Sequence, residues 1–493
     1  MRIKVAASPA SRLWNTIHAR FTAASLTFAP FPPTGNSNLF IGGAPDPHAV
    51  GRELLKMFFT FCGALMLRFF KEQWWLWNGK SYSRILSKEA LALVNKKLRE
   101  LFDAQAPAVR VSLNMVANVL QALSGECLVA ECDLPVWLGK SARPSSGDLL
   151  PMKNGLLDLK GLIDAGPGKA LLPQTPDWFT LTSWAYAFDV AATCPQWERC
   201  LEKILPGEKE RSLLQEFAGY LLTHDTSLHT FLIMTGDGAN GKSVVTEVLT
   251  QMLGPDNVTH VGLERFNDRF ALARTIGKLA NIVSEIGAVR GMVEGVLKAI
   301  VGGDRITVEF KNQTPFDAKP TVRLLFATNV LPELDDRSDG LWRRVQILPF
   351  TVTIPKEHQD PHLAQRICDN ELPGVFNWAV EGLRRLRRQG RFTVSEAVQL
   401  AVREHRLACN PERQFLDECC TVAPEHAEPC DFVYARYKAW LAGRRATPVT
   451  KPVFGREVFR VFPQVRRSQK RLSKSVKERE YQYVGLRLRP EAR

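Results

Sequence analysis

Residues 231–249 read FLIMTGDGANGKSVVTEVL: a short apolar strand, a glycine-rich loop and a helix-forming segment in immediate succession. Gly236, Gly241, Lys242 and Ser243 fit the pattern GxxxxGK[ST], in which backbone N–H groups wrap phosphates, the lysine reaches their outer oxygens and the hydroxyl ligands Mg²⁺. Each part has a physical reason. Glycine lets the backbone approach a dense anion without side-chain clash, and the helix that follows adds its positive N-terminal end. Residues 231–350 go on alternating apolar strands with helical segments, which predicts an α/β domain built on a largely parallel sheet.

Two further strands of that sheet end in polar groups. LANIVSEI, residues 279–286, sets Glu285 at the end of a buried strand, where it can hold Mg²⁺ or polarise an attacking water. VRLLFATN, residues 322–329, ends in Asn329, either a turn-former or a group that orients the water and senses the terminal phosphate. Arg343 and Arg344 follow the loop LDDRSDGLW; they are either solvated arginines or groups able to reach a neighbouring subunit's nucleotide.

The rest of the chain surrounds this core. The formal charge is +14, from 65 Lys and Arg against 51 Asp and Glu. Residues 431–493 alone hold 17 basic against 5 acidic residues, so the excess that suits a polyanionic partner is a C-terminal module. Its short helices followed by YQYVGLRLRP are compatible with a small winged-helix domain, and Arg466, Arg467, Lys470 and Arg471 are its candidate DNA contacts, with a plain solvated tail as the other reading. Residues 1–47 form a basic leader rich in turn formers, 48–145 an α+β domain with aromatic strands near residues 74–77, 150–225 a helical domain that opens with a hairpin-like piece at 153–179 and has its helical segment over 194–223, and 360–408 an arginine-rich helical connector. The apolar run LLKMFFTFCGALMLRFF contains Lys56 and Arg68, leaving a charge-free stretch short of the ~20 residues of a membrane span. Ten cysteines without metal-ligand spacing read as reduced thiols of a cytosolic protein.

Taken together, GDGANGKS, NIVSEI (281–286), KAIVGGDRITVEFKNQTPF (298–316) and the block at 322–350 resemble the superfamily 3 helicases, a ring-forming branch of the AAA+ ATPases. The similarity is closest to the phage and plasmid primase-helicase family that includes poxvirus relatives, and it extends from about residue 50 onward, with NGLLDL at 154–159 and the aromatic strands included. The resemblance implies an AAA+ core over 226–355, a collar over 150–225 and a basic winged-helix-like domain over 409–493. It implies ATP and Mg²⁺ as cofactors, with Gly236, Asp237, Gly238, Ala239, Asn240, Gly241, Lys242, Ser243 and Val244 around the nucleotide, Ser243 and Glu285 at the metal, and Lys242, Glu285, Asn329, Arg343 and Arg344 in catalysis. In this family the GGD segment opens a hairpin that projects into a central pore, and Lys311 stands where a lysine grips single-stranded nucleic acid; Lys298 is a second candidate contact. Read from the residues alone, Lys311 is a strand-turn-strand lysine, solvated or in contact with a phosphate.

The expectation is therefore an ATP-dependent homo-hexameric helicase of a phage, prophage or plasmid, in the cytoplasm of a bacterial host, acting on single-stranded and forked DNA. A separate primase or polymerase would be its partner, and no membrane is involved. The alternative is a nucleotide-dependent origin-binding initiator or scaffold without productive unwinding. One departure bears on that choice: many relatives carry two acids where this chain has Ser284 and Glu285.

Overall fold

Each strand of the central sheet carries apolar side chains in both directions, so both of its faces must be covered. The structure, a computed structural model, describes residues 39–41, 44–139, 144, 148–286, 293–311, 314–334, 339–442, 447–471 and 479–489. Most of the expected leader lies outside them, as does the Pro/Ser/Gly boundary at 143–147 apart from Pro144.

The N-terminal part begins with helix α1 (Pro47–Phe58), started by Asp46, whose carboxylate accepts from the Ala49 N–H at 3.0 Å, with Pro47 in the first turn. Strands β1 (Leu67–Phe70), β2 (Gln73–Trp77) and β3 (Tyr82–Ile85) form an antiparallel sheet, followed by α2 (Ser87–Gln105) and α3 (Leu113–Glu126). Trp74, Trp77, Tyr82 and Leu54 are buried in a core of their own. This includes the apolar run with Lys56 and Arg68, which folds into helix and strands; none of the described helices is long and apolar enough to cross a membrane.

The segment over 150–225 opens with strands β4 (Leu149–Met152) and β5 (Gly155–Asp158), paired around the tight turn at Lys153 and Asn154 where a hairpin-like piece is expected. Its turn residues stop a helix and favour a hairpin. Helices α4 (Pro195–Ile204) and α5 (Glu208–Tyr220) then follow, separated at Pro206 and Gly207.

The central sheet is parallel throughout. In chain order its strands are β6 (Phe231–Thr235), β7 (Val258–Thr259), β8 (Ala280–Val283), β9 (Arg323–Thr328) and β10 (Val345–Pro349), and their order across the sheet is β7-β8-β9-β6-β10. Helix α6 (Lys242–Leu253) follows β6 directly across the loop. Leu232, Met234, Ile282 and Leu325 enter one core together with α4, α5 and α6, whereas Phe231, Ile233, Leu324 and Phe326 enter a second core on the opposite face. At roughly 1.5–3 kcal/mol per fully buried apolar side chain, this alternation holds the strand register.

Between β8 and β9 lie α7 (Glu294–Gly302) and a small antiparallel hairpin, whose arms are Ile306–Val308 and Phe316–Ala318. After β10 come α8 (Leu363–Gln389), capped by Gly390, and α9 (Glu396–Cys409), joined by residues 390–395. α8 packs back on α5 and α6, so the segments before and after the sheet share its first core. The C-terminal part has its own core and runs α10 (Pro411–Cys419), β11 (Cys420–Pro429), α11 (Cys430–Ala442), α12 (Lys451–Val461), β12 (Arg466–Arg471) and β13 (Arg479–Leu488), with β13 between β11 and β12. The cysteines are unpaired, and burial pushes the thiols of Cys127, Cys194 and Cys420 up to about 12, which keeps them protonated and inert.

Candidate functional site

The loop after β6 is held from both sides. On one side the Phe350 N–H donates to Thr235 O at 2.7 Å and the Ile354 N–H to Ala239 O at 2.8 Å, so the chain leaving β10 is stitched along the loop. A Cβ on Gly236 would stand 2.3 Å from Phe350 O, which admits only glycine there. On the other side Gly241, at φ +85°, would place a Cβ 2.8 Å from the Ile204 side chain of α4. Gly241 caps α6 in a left-handed conformation that frees the helix N-terminus to face the cleft.

Lys242 is buried, and its ammonium donates to Gly236 O at 2.7 Å and to Asn240 Oδ1 at 2.9 Å. Burial lowers its pKa below the ordinary lysine range, and the nearby Asp237 carboxylate opposes that shift. Asn240, itself buried, ties this lysine to the chain after β10 through Nδ2 to Phe350 O at 3.4 Å. Ser243 is exposed in the first turn of α6, Asp237 and Ala239 are exposed on the loop, and Gly238 and Val244 are half-buried.

Gly238 to Val244 line one cleft of about 1380 Å³ that also receives Ser284, Glu285 and Asn329. The chain thus brings Lys242, Ser243, Glu285 and Asn329 together from three separate strand ends, at the carboxyl edge of a parallel sheet where open α/β folds take ligands. Glu285 and Asn329 are both exposed there. Ser284 stands before Glu285, and its hydroxyl lies 3.2 Å from that of Thr246 on α6, fixing the strand end to the helix. The far wall comes from elements that carry no local motif: Arg199, Lys203 and Ile204 of α4, Ile354 and Lys356 after β10, and Arg366 of α8. Sequence reading missed them because they reach the cleft only through packing.

Arg343 and Arg344 are not at this cleft. They precede β10, whose first residue Val345 pairs with Phe231, while the phosphate loop leaves the other end, where Pro349 pairs with Thr235. The sheet's length, roughly 15 Å, separates them from the chain's own loop. Arg344 is held to its own chain by an Nη1 bond to Gly340 O at 2.5 Å, whereas Arg343 is exposed.

The candidate nucleic-acid contacts fall on two further places. Lys311 is exposed three residues past the first arm's end at Val308, on the loop joining the hairpin arms; Asn312 and Gln313 lie outside the described residues. Lys298 is half-buried on α7. Arg466 and Arg467 are exposed on β12, and the Arg467 guanidinium lies 3.9 Å from the centre of the Tyr481 ring. Lys470 and Arg471 share that strand, but their side chains lie outside the described residues. Exposed Arg456 and Arg460 on the preceding helix α12 were not foreseen; their signal is a spacing of four on one helix face.

Comparison with known proteins bears on the central region first. Residues 234–344 match a family described as of unknown function, DUF5906. Curated relatives include "Putative helicase L207/L206" of Acanthamoeba polyphaga mimivirus, 27% identical over 242 residues, and "Putative helicase 121R" of Invertebrate iridescent virus 3, 25% identical over 333 residues. The matches cover 44% and 59% of this chain and 25% and 34% of those proteins, so the chain spans at most about a third of their length. A solved structure of the NrS-1 C-terminal region, in its apo A form, superposes with a TM-score of 0.51 at 11% identity, covering 89% of this chain and 99% of that one. The chain is thus similar to helicase-named proteins of large DNA viruses and shares a mixed α/β fold with that region.

Proposed function

We propose that the protein is an ATP-dependent DNA helicase of the superfamily 3 type, an AAA+ P-loop ATPase that works as a homo-hexamer in the replication of a phage, prophage or plasmid. The observation that carries this reading is the single cleft in which Lys242, Ser243, Glu285 and Asn329 converge. Lys242 would exchange its bonds to Gly236 O and Asn240 for the β and γ phosphates of ATP, and the α6 N-terminus would face them. The donor set suits Mg²⁺: one exposed hydroxyl and one exposed carboxylate leave room for phosphate oxygens and water, and no cluster of three or more His, Cys, Asp or Glu able to hold a metal occurs among the described residues. Bound there, Mg²⁺ would offset charge on the transferred phosphoryl group. Glu285 would polarise the attacking water and Asn329 orient it.

Arg343 or Arg344 would complete this site from another subunit, because both stand at the opposite end of their own sheet. Exposure favours Arg343 for that role. Lys311 would grip a phosphate of the translocating single strand, and the C-terminal module, whose helix-strand-helix-helix-strand-strand order is that of a winged helix, would hold duplex DNA with Arg466 and Arg467.

Lys242→Ala tests the reading directly. It is expected to abolish ATP hydrolysis and strand separation with an unchanged circular dichroism spectrum; retained unwinding would refute it. A second reading, a nucleotide-dependent origin-binding initiator or scaffold, draws support from Ser284, whose hydroxyl is engaged with Thr246 where many relatives carry an acid. A forked substrate with Mg·ATP separates the two, since only a helicase releases the displaced strand.

A further inference from the structure

The hairpin that carries Lys311 does not stand alone. Phe310 and Phe316 flank its loop with ring centres 5.5 Å apart, and each ring carries a cation from the N-terminal part of the chain. The Arg84 guanidinium of β3 lies 5.7 Å from the Phe310 ring, and the Lys71 ammonium 4.9 Å from the Phe316 ring. At the hairpin's base Arg305 pairs with Asp133 at 2.9 Å, a second link between the same two parts.

Two features set these cations apart. Among the described residues, neither Lys71 nor Arg84 has a carboxylate partner, although Arg84 is exposed and Lys71 half-buried beside the hairpin that carries Lys311. In addition, Lys71 and Glu72 make the tight turn between β1 and β2 with φ of +49° and +58°, conformations that turns of this type normally give to Asn and Gly. The turn holds Lys71 at a cost of order 1 kcal/mol in backbone strain and fixes where its side chain starts. What it reaches is the neighbourhood of Lys311.

We propose that the single-strand track is composite, with Lys71 and Arg84 of the N-terminal part contacting phosphates of the same strand that Lys311 grips, while Phe310 and Phe316 hold the two cations in position. The inference rests on the hairpin reading given above for Lys311. Its chemistry is that of an electrostatic track: cations spaced along a backbone, with salt-sensitive and sequence-indifferent binding. It also gives the N-terminal part a function, to extend the grip beyond the hairpin.

The test is the salt dependence of binding to a fluorescein-labelled oligothymidylate, read by anisotropy on the full chain with a non-hydrolysable ATP analogue. Each phosphate contact to a single strand contributes about 0.7 to the slope of log K against log salt. Lys71→Met with Arg84→Gln should lower that slope by at least about 1.4. It should do so again when added to Lys311→Ala, whereas Lys71→Arg with Arg84→Lys should keep the original slope. A fall in the otherwise native protein but none in the Lys311→Ala background would mean that the two cations only position the hairpin, and it overturns the proposal. No fall in either background, with Lys311→Ala still lowering the slope, overturns the proposal and leaves the hairpin reading intact. If Lys311→Ala itself leaves the slope unchanged, both fail. Photocrosslinking of a thiothymidine-bearing strand to the unsubstituted protein gives an answer that needs no variant: crosslinks are expected in peptides from both the hairpin and residues 67–85, and crosslinks in the hairpin alone overturn the composite track.

Discussion

At the scale of single residues, the two arginines before β10 make separable predictions. Arg343, exposed and remote from its own cleft, should on replacement by alanine leave ATP binding intact and reduce hydrolysis by ~10³-fold or more, the usual weight of an arginine finger. Arg344→Ala should instead lower stability by about 1 kcal/mol, through the lost bond to Gly340 O. Steady-state hydrolysis, binding of a fluorescent ATP analogue and urea unfolding distinguish the two; equal loss of hydrolysis in both variants would contradict the assignment. His224 offers a test by pH. Burial, with the Arg323 charge adding to it, drives its pKa from 6.5 down to about 3, so the folded chain keeps it neutral while the unfolded chain protonates it. Between those values the unfolded state binds the extra proton, and stability must fall as pH falls, by up to ~1.4 kcal/mol per unit. Urea midpoints at pH 7 and pH 5 should therefore converge in His224→Gln relative to the unsubstituted protein. The phosphate loop was legible because its chemistry is contiguous in sequence, glycines and lysine within eight positions. Arg199 and Lys203 were not, because nothing in the spacing of α4 tells which of its faces meets a cleft made by residues 238–244 and 352–366.

At the scale of elements, the crossing of α5 and α8 decides whether the cleft keeps its walls. A Cβ on Gly382 would stand 2.1 Å from Gln215 O, and one on Gly219 would stand 2.4 Å from Ala379 O, so the two helices touch backbone to backbone. Beside that contact the fully buried Glu216 accepts from Arg385 Nε at 2.7 Å, Gln389 Nε2 at 3.0 Å and the Thr393 N–H at 2.7 Å. Removing a partner from such a buried set leaves charge without compensation. Glu216→Ala is expected to cost about 3–5 kcal/mol in urea unfolding, and a loss under 1 kcal/mol would show that the network is not structural. Gly382→Ala should be destabilising as well, since neither backbone can give way. The strands and most of the helices were readable from periodicity and caps, but this crossing was not. Its determinants are Glu216 and Gly219 on α5 and the distant Gly382 on α8, residue types that an amphipathic pattern does not register as core.

At the scale of the whole molecule, hydrolysis completed by a neighbour's arginine implies complementation. Mixing Lys242→Ala subunits with Arg343→Ala subunits, each inactive alone, should restore part of the ATPase activity at interfaces that join an intact loop to an intact arginine; no recovery would argue against a site shared between subunits. The basic tail was legible as charge, short helices and a closing strand, whereas the three-stranded sheet and the core around Phe415, Tyr437 and Phe454 depended on contacts that the sequence pattern does not reveal. The shared core of α5, α6 and α8 carries a further consequence, for how such a chain can be divided and inherited. A fragment cut to residues 226–355 would contain the entire sheet and phosphate loop, yet would lose α5 and α8 from the face that Met234 and Leu325 present. Any piece transferred as a working part between genes must therefore carry α5 and α8 together with the sheet, and insertions that endure should spare all three.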